Sequence, residues 1–295
     1  MRRKAWSGYL ILAACLLGFL LLVSRPAYAQ DSGRLLATSG VSQLEGAGGG
    51  GLVPWALITG YGTNDAVGAN VHYTAVPLSD FTLHSAGAAI GLYDRVELSY
   101  AHEMFLTGAA GQRLGLGKDY QFNLDVAGAK LRVLGDAVYD QDSWLPQIAV
   151  GTEFKTADSH NILKAIGAGS PSGVDFYAAA TKLFLAESLL LNATIRETKA
   201  NQFGLLGFGG DRSNGYRTEF EGSAALLLRR DLAIGAEIRT KPDNLHFAQE
   251  GNAYDAFLAY FFNKNVSATV AFVSLGPIAR QGNQNGAYVS LQFGF

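Results

Sequence analysis

Cysteine is nearly absent from this chain of 295 residues, and its one example, Cys15, falls in a segment set apart from the rest. Arg2, Arg3 and Lys4 precede a continuous apolar stretch from Tyr9 to Val23, and Ala27-Tyr28-Ala29 forms a small-residue cleavage pattern before Gln30. That order predicts a signal peptide over residues 1–29. Leu12-Ala13-Ala14-Cys15 also fits the box for bacterial lipid modification, but a lipoprotein's cysteine closes the apolar stretch, and here Leu16 to Val23 prolongs it. Cleavage after Ala29 leaves a single domain, 30–295, without a thiol, which excludes disulfides and paired-cysteine metal sites.

Basic charge is scarce as well. The leader holds Arg2, Arg3, Lys4 and Arg25 and no acid, so the 23 Lys+Arg fall to 19 against 25 Asp+Glu, a mature net charge near −6. An acidic chain without basic runs is no candidate for nucleic acid. After residue 29 no apolar stretch approaches the roughly 20 residues a helix needs to cross a bilayer, so any crossing must be made by strands. No P-loop and no H-E-x-x-H is present. Nothing in the sequence calls for a cofactor.

What the chain does contain is alternation. From Tyr216 to Leu228, Tyr216, Thr218, Phe220, Gly222, Ala224, Leu226 and Leu228 share one parity, while Arg217, Glu219, Glu221 and Ser223 share the other. Successive strand side chains point to opposite faces, so this segment has an oily face and a charged one. Similar runs fall at about 52–62, 66–76, 80–92, 95–105, 120–134, 144–156, 173–185, 188–197, 215–228, 232–240, 253–262, 266–274 and 286–295. The connections alternate between short (63–65, around Asp94, 186–187, 229–231, 263–265) and long (106–119, 157–172, 198–214, 241–252, 275–285), with 135–143 intermediate and 77–79 modest. Outer-membrane barrels of Gram-negative bacteria combine short periplasmic turns with long external loops in this way. The expected fold is therefore all-β: a transmembrane, antiparallel, up-and-down β-barrel with both termini periplasmic. Counting Arg34 to Gly46 as a first upward strand gives about 14 strands. Twelve strands with an N-terminal plug or tail is the alternative.

A soluble β-sandwich would also alternate. Two features favour the barrel. Aromatic residues recur near strand ends (Tyr61, Tyr73, Phe81, Tyr93, Phe105, Phe122, Phe154, Phe184, Tyr216, Tyr254, Phe262), as in interfacial girdles. The last run places Ala287, Val289, Leu291, Phe293 and Phe295 on one face and ends on an aromatic residue, which resembles the signal that barrel-assembly machinery reads, with Phe293 and Phe295 as its assembly residues.

Two stretches are more distinctive: Gly46 to Gly62, where Gly48 to Gly51 run into Val53-Pro54-Trp55, and Gly135 to Gly151, with Val138-Tyr139-Asp140 and Trp144-Leu145-Pro146. They resemble an uncharacterised bacterial family, a domain of unknown function grouped with outer-membrane barrels, which covers nearly all of the mature chain. The resemblance implies the outer membrane and supplies no activity.

Charged residues on the faces opposite the apolar ones define an expected pore-lining set: Arg95, Glu97, Glu103, Glu153, Lys155, Arg196, Arg217, Glu219, Glu221, Glu237 and Arg239. Facing lipid at mid-depth, an Arg or Lys would cost roughly 2–4 kcal/mol. Interleaved signs also make cross-strand ladders that hold register, and both readings are compatible. A hairpin centred on Leu78 would set His72 opposite His84 on the lumen face; with no third ligand placed nearby, a solvated pair is expected rather than a metal site. In 120–134 the apolar parity changes, so a bulge near Gly128 is expected, and Lys130 and Arg132 are left unassigned. Gly48 to Gly51 reads as a flexible turn, and Gly204 to Gly210 as an external loop that is either mobile or folded into the mouth, where it would narrow a pore.

The function expected is a passive or weakly selective channel for small solutes, small hydrophobic compounds included, acting without chemistry and without a cofactor. Its partners are outer-membrane lipid, the assembly machinery and the solute. One alternative is a hydrolase of lipid or lipopolysaccharide, which needs a Ser and a His in reach of each other on the outer rim; no such pair is found among the expected outward positions. Another is a structural or adhesive barrel presenting loops 157–172 and 198–214.

Overall fold

The computed structural model describes residues 35–37 and 41–295; the expected signal peptide and Cys15 lie outside the described residues. Twelve strands close an antiparallel barrel in chain order: β1 (Val67–Pro77), β2 (Thr82–Leu92), β3 (Val96–Leu106), β4 (Gln121–Leu134), β5 (Gln147–Ala157), β6 (Ser172–Phe184), β7 (Leu189–Thr198), β8 (Arg217–Arg229), β9 (Leu232–Arg239), β10 (Ala253–Phe261), β11 (Val266–Ile278) and β12 (Gln281–Gly294), which pairs back onto β1. Both ends of the described chain lie at the end of the barrel that carries the tight connections 93–95, 185–188, 230–231 and 262–265, together with the longer 135–146. We call it the terminal end. Loops 107–120, 158–171, 199–216 and 240–252 stand at the opposite, far end.

The expected long loop 275–285 is a two-residue turn. Ala279 (φ 47°) and Arg280 (φ 64°) take the left-handed conformation that a tight hairpin demands, so β11 and β12 run on past Ser274 and Gly286. The register shifts on both sides of Pro277, a residue with no N–H to give the ladder.

Outward positions are apolar, and aromatic residues form two rings on the exterior. Tyr73, Phe154, Phe176, Tyr216 and Tyr254 are exposed toward the far end, and Tyr93, Trp144, Phe262, Phe293 and Phe295 toward the terminal end, with Tyr100 and Phe272 exposed between them. Tyr254 and Phe262 are eight residues apart, about 27 Å along a strand and about 20 Å along the axis at a ~40° tilt, close to the ~25 Å apolar band of such barrels. Tyr61, Phe81, Phe105 and Phe122, expected in the girdles, are buried instead. Their neighbours on the same face pack on material inside the barrel.

That material is residues 41–62, each of them buried. The expected strand 52–62 and the described parts of 34–46 (35–37 and 41–46) therefore do not join the wall, which has twelve strands among the described residues. The reason lies in their side chains. Val53, Trp55 and Leu57 on one parity and Leu52, Ala56 and Ile58 on the other leave no polar face, whereas a wall strand must meet lipid on one side and a polar interior on the other. Enclosed on all sides, the segment folds irregularly, with only Val41–Ser42 pairing to Gly48–Gly49 as sheet.

Candidate functional site: a charged lumen filled by the chain itself

A backbone that forms no ladder still has to satisfy its N–H and C=O groups when buried. Here the barrel wall supplies the partners. The Gly48 and Thr59 amides donate to the two oxygens of Glu97 at 3.0 and 2.8 Å, and the Leu52 amide donates to Glu237 at 2.7 Å. Lys130 gives hydrogen bonds to the carbonyls of Gly48 (2.8 Å) and Leu57 (2.9 Å) and to Glu97 (3.1 Å). Thr194 donates to Pro54 O, Gln147 to Ala56 O, and Trp55 Nε1 to Ser223 at 2.9 Å. The glycine run, expected as a flexible turn, is where plug backbone meets wall carboxylates. A Cβ on Gly50 would stand 1.8 Å from Glu237 Oε1, and one on Gly48 2.9 Å from Glu97 Oε2.

The plug contributes one carboxylate of its own. Glu45 takes a fork from Arg239, with Nη1 at 2.5 Å from Oε2 and Nη2 at 3.3 Å from Oε1, and pairs with Lys155; Arg196 Nη2 stands 3.9 Å away. Behind it the wall closes a network. Arg196 reaches Glu221 (2.5 Å) and Glu153 (2.6 Å), Lys155 reaches Asp175 (2.7 Å), and Arg239 Nε lies 3.2 Å from Glu221. Glu45, Glu153 and Asp175 could between them hold a metal ion, but the Lys155 ammonium already sits among all three. Three side-chain cations already serve the four carboxylates here.

A second closure comes from the far end. Loop 199–216 folds inward, burying Phe203, Leu205 and Leu206, and the Phe203 ring lies 4.3 Å from the Arg239 guanidinium carbon. Of the two expectations for Gly204 to Gly210, the inward fold is the one observed. Gln202 (φ 45°) and Phe203 (φ 62°) hold conformations that non-glycine residues adopt at a cost. They are held by a Lys241 hydrogen bond to Gln202 Oε1 (2.7 Å), by Glu250 accepting the Gln202 amide (2.9 Å), and by the buried Lys241–Glu250 pair at 3.0 Å. Burial raises the Glu250 carboxyl above its ordinary value, with Lys241 opposing.

Of the expected pore-lining residues, Glu97, Glu103, Glu153, Lys155, Arg196, Glu221, Glu237, Arg239 and His72 face inward and are buried. Arg217 and Glu219 share their parity but sit higher: Arg217 is exposed at the far mouth, and half-buried Glu219 accepts from Thr240. Arg95 is a correction. Its exposed side chain lies in the turn 93–95, outside any strand, because the hairpin reverses there. His84 is another. The 78–81 connection pairs Pro77 with Thr82, so His72 lies opposite Gly87 while His84, opposite Ala75, points outward and bonds to Tyr73 at 2.8 Å. The bulge expected near Gly128 is absent: β4 keeps one parity from Phe122 through Lys130 and slips only between Arg132 and Leu134. Lys130 is thus a lumen residue that sequence reasoning set aside, and Glu45, Asp175 and Asp255 were missed. For Asp175 and Asp255 the parity shared with Tyr177 and Phe257 was the available signal. Glu45 gave none, since its segment read as a strand.

On the outer face, His102 Nδ1 lies 2.9 Å from Asp125 Oδ1, which also accepts from Tyr100 at 2.6 Å. Neither outward histidine, His84 or His102, has a serine or threonine hydrogen-bond partner among the described residues.

The family model described as Protein of unknown function (DUF3034) matches residues 38–292. No curated protein matches the chain. Among solved structures, the chain is similar to the KdgM porin (TM-score 0.50, 12% identity, 77% of this chain and 99% of that one) and to the NanC porin (TM-score 0.50, 10% identity, 76% and 98%). It is also similar to outer membrane phospholipase A from Escherichia coli (TM-score 0.43, 11% identity, 80% and 94%). At these identities the likeness is one of fold.

Proposed function

The chain belongs to this DUF3034 family of proteins of unknown function, and we propose that it is an outer-membrane channel for small solutes that its own N-terminal segment holds shut. One observation carries the reading. The interior is lined by charged and polar side chains on strands all around the barrel, and several of them, Glu97, Lys130, Thr194, Glu237 and Arg239, are satisfied by residues 41–62, which belong to no wall strand and can leave without breaking a rung of it. Vacated, the same groups would line a water path, where a polar wall is at home. Small polar solutes fit this better than hydrophobic compounds. The apolar cavity near the terminal end, lined by Val41, Trp55, Leu190 and Phe261 among others, measures about 40 Å³, against ~300 Å³ or more for a small-molecule pocket. The mode of action is passive conduction, with no chemical step.

The test is single-channel recording of refolded 30–295 carrying Ser42→Cys and Asn70→Cys. The two native side chains touch at 2.8 Å, one on the plug and one on β1. Oxidation should silence the channel and reduction restore openings. A variant lacking 41–62, with loop 199–216 also shortened to remove the inward fold at Phe203, that inserts as a barrel yet never conducts would refute the channel and leave a structural barrel as the answer.

A further inference from the structure

Arg239 differs from the other lumen cations in who satisfies it. Arg196 spends Nε and Nη1 on the wall carboxylates Glu221, Glu153 and Asp175. Arg239 touches the wall only through Nε and Glu221; Nη1 goes to Glu45 (2.5 Å) and to Leu52 O (3.2 Å), and Nη2 to Glu45 (3.3 Å). All three of those acceptor contacts belong to the plug. When 41–62 withdraws, a fork built for a carboxylate is left open, with Lys155 beside it and the Phe203 ring as an apolar wall.

We infer that Glu45 stands in the place of a solute, and that the open lumen binds small monocarboxylates at Arg239 and Lys155, which thereby compete with the plug. The inference rests on the gated-channel reading and adds the substrate class to it. The charge count sets the valence. Without Glu45, Lys155, Arg196 and Arg239 face Glu153, Asp175 and Glu221, three against three, with Glu103 buried nearby. A single negative charge restores what the plug supplied, and a second would be repelled. The plug is in this sense autoinhibitory: it presents the chemical group that the solute presents, tethered and therefore at high effective concentration.

The experiment replaces chloride with acetate at constant ionic strength and neutral pH and reads two signals. One is open probability in a planar bilayer. The other is Trp55 emission in a Trp144→Phe variant of 30–295, since Trp55 is buried in the plug and Trp144 is exposed on the terminal-end loop. Acetate should raise open probability roughly tenfold, the worth of about one charge-assisted hydrogen bond, and should shift Trp55 emission to the red, while malonate should do neither. Arg239→Met should open more often than the native chain and ignore acetate. Openings that are the same in acetate and chloride, with Trp55 unmoved, overturn the carboxylate site and leave the channel standing. A barrel silent in every salt, including as the variant lacking 41–62, overturns the channel, and the Trp55 signal then still decides whether acetate displaces Glu45.

Discussion

Replacing Lys130 by methionine should release the plug while sparing the barrel. Lys130 is buried on β4 and ties three acceptors together: the carbonyls of Gly48 and Leu57, which sit at two separate points of the plug, and Glu97. Methionine keeps most of the volume and removes every donor. Glu97 stays buried, held by the Gly48 and Thr59 amides but without its cation. Removing one partner of a buried ion pair costs about 3–5 kcal/mol. The barrel ladder does not depend on the pair, so the loss falls on plug seating, where it changes the ratio of seated to released forms by roughly two to four orders of magnitude. Adding Glu97→Gln should return part of this, because the uncompensated charge goes while one oxygen remains for an amide. A coupling of about 1–3 kcal/mol is expected for groups in contact. The assay is Trp55 emission in the Trp144→Phe background, alongside open probability, for both single variants and the double. If Lys130→Met leaves both signals at native values, or if the two substitutions add without coupling, the account of how the wall grips the plug is refuted.

Gly50→Ala should also unseat the plug: its Cβ would stand 1.8 Å from the oxygen of Glu237, a residue fixed by Ser223 and the Leu52 amide, so Trp55 should become exposed while β-sheet circular dichroism stays unchanged. Deleting Phe295 should lower outer-membrane levels sharply. The residue's backbone makes three hydrogen bonds, with Ala69 twice and Tyr61, and Phe295→Ala keeps them; equal levels of Phe295→Ala and native protein would remove the assembly role from the side chain. In loop 135–146, burial acts to raise the Asp136 carboxyl, but the Tyr139 and Val138 amides and Arg132 outweigh it and bring it below the ordinary 3.8. A depressed folded value means that this stabilisation is present above about pH 4 and lost as pH falls further, so Trp144 emission should change in that acid range and lose the transition in Asp136→Asn.

Where one side of a strand meets lipid, the sequence was readable. Period-2 alternation located β8 and β10 to within two residues, though it began β12 five residues late, and the outward parity of Phe220, Leu226, Val289 and Phe293 is the observed one. The interior was less legible, for a physical reason: a filled lumen accepts both apolar and polar residues. Phe122, Leu124 and Val126 point inward because they meet buried chain rather than water, and that is what made the inward-facing Lys130 on the same parity look like a change of face. His84 was misplaced by the length of one connection, since register follows from the turn and a one-residue error reverses every side chain. Glu45 could not be assigned from its own segment at all. Its role depends on Lys155, Arg196 and Arg239, which stand on three strands distant in sequence.

The plug precedes the first strand in the chain, and the last strand grips it: Gln292 accepts the Ser42 amide, and the Phe295 carbonyl accepts that of Tyr61. A cork of this kind cannot be threaded in afterwards at no cost, because the two strands that meet at the seam, β1 and β12, are among those that hold it. The order of manufacture follows from this geometry. The plug, which precedes every wall strand, is therefore expected to be seated inside the curling sheet before the final strand, more than two hundred residues later, closes the seam. A seam joining the two extremes of a chain is the contact with the largest loop to close, and here that closure is guided by residues already seated at its foot.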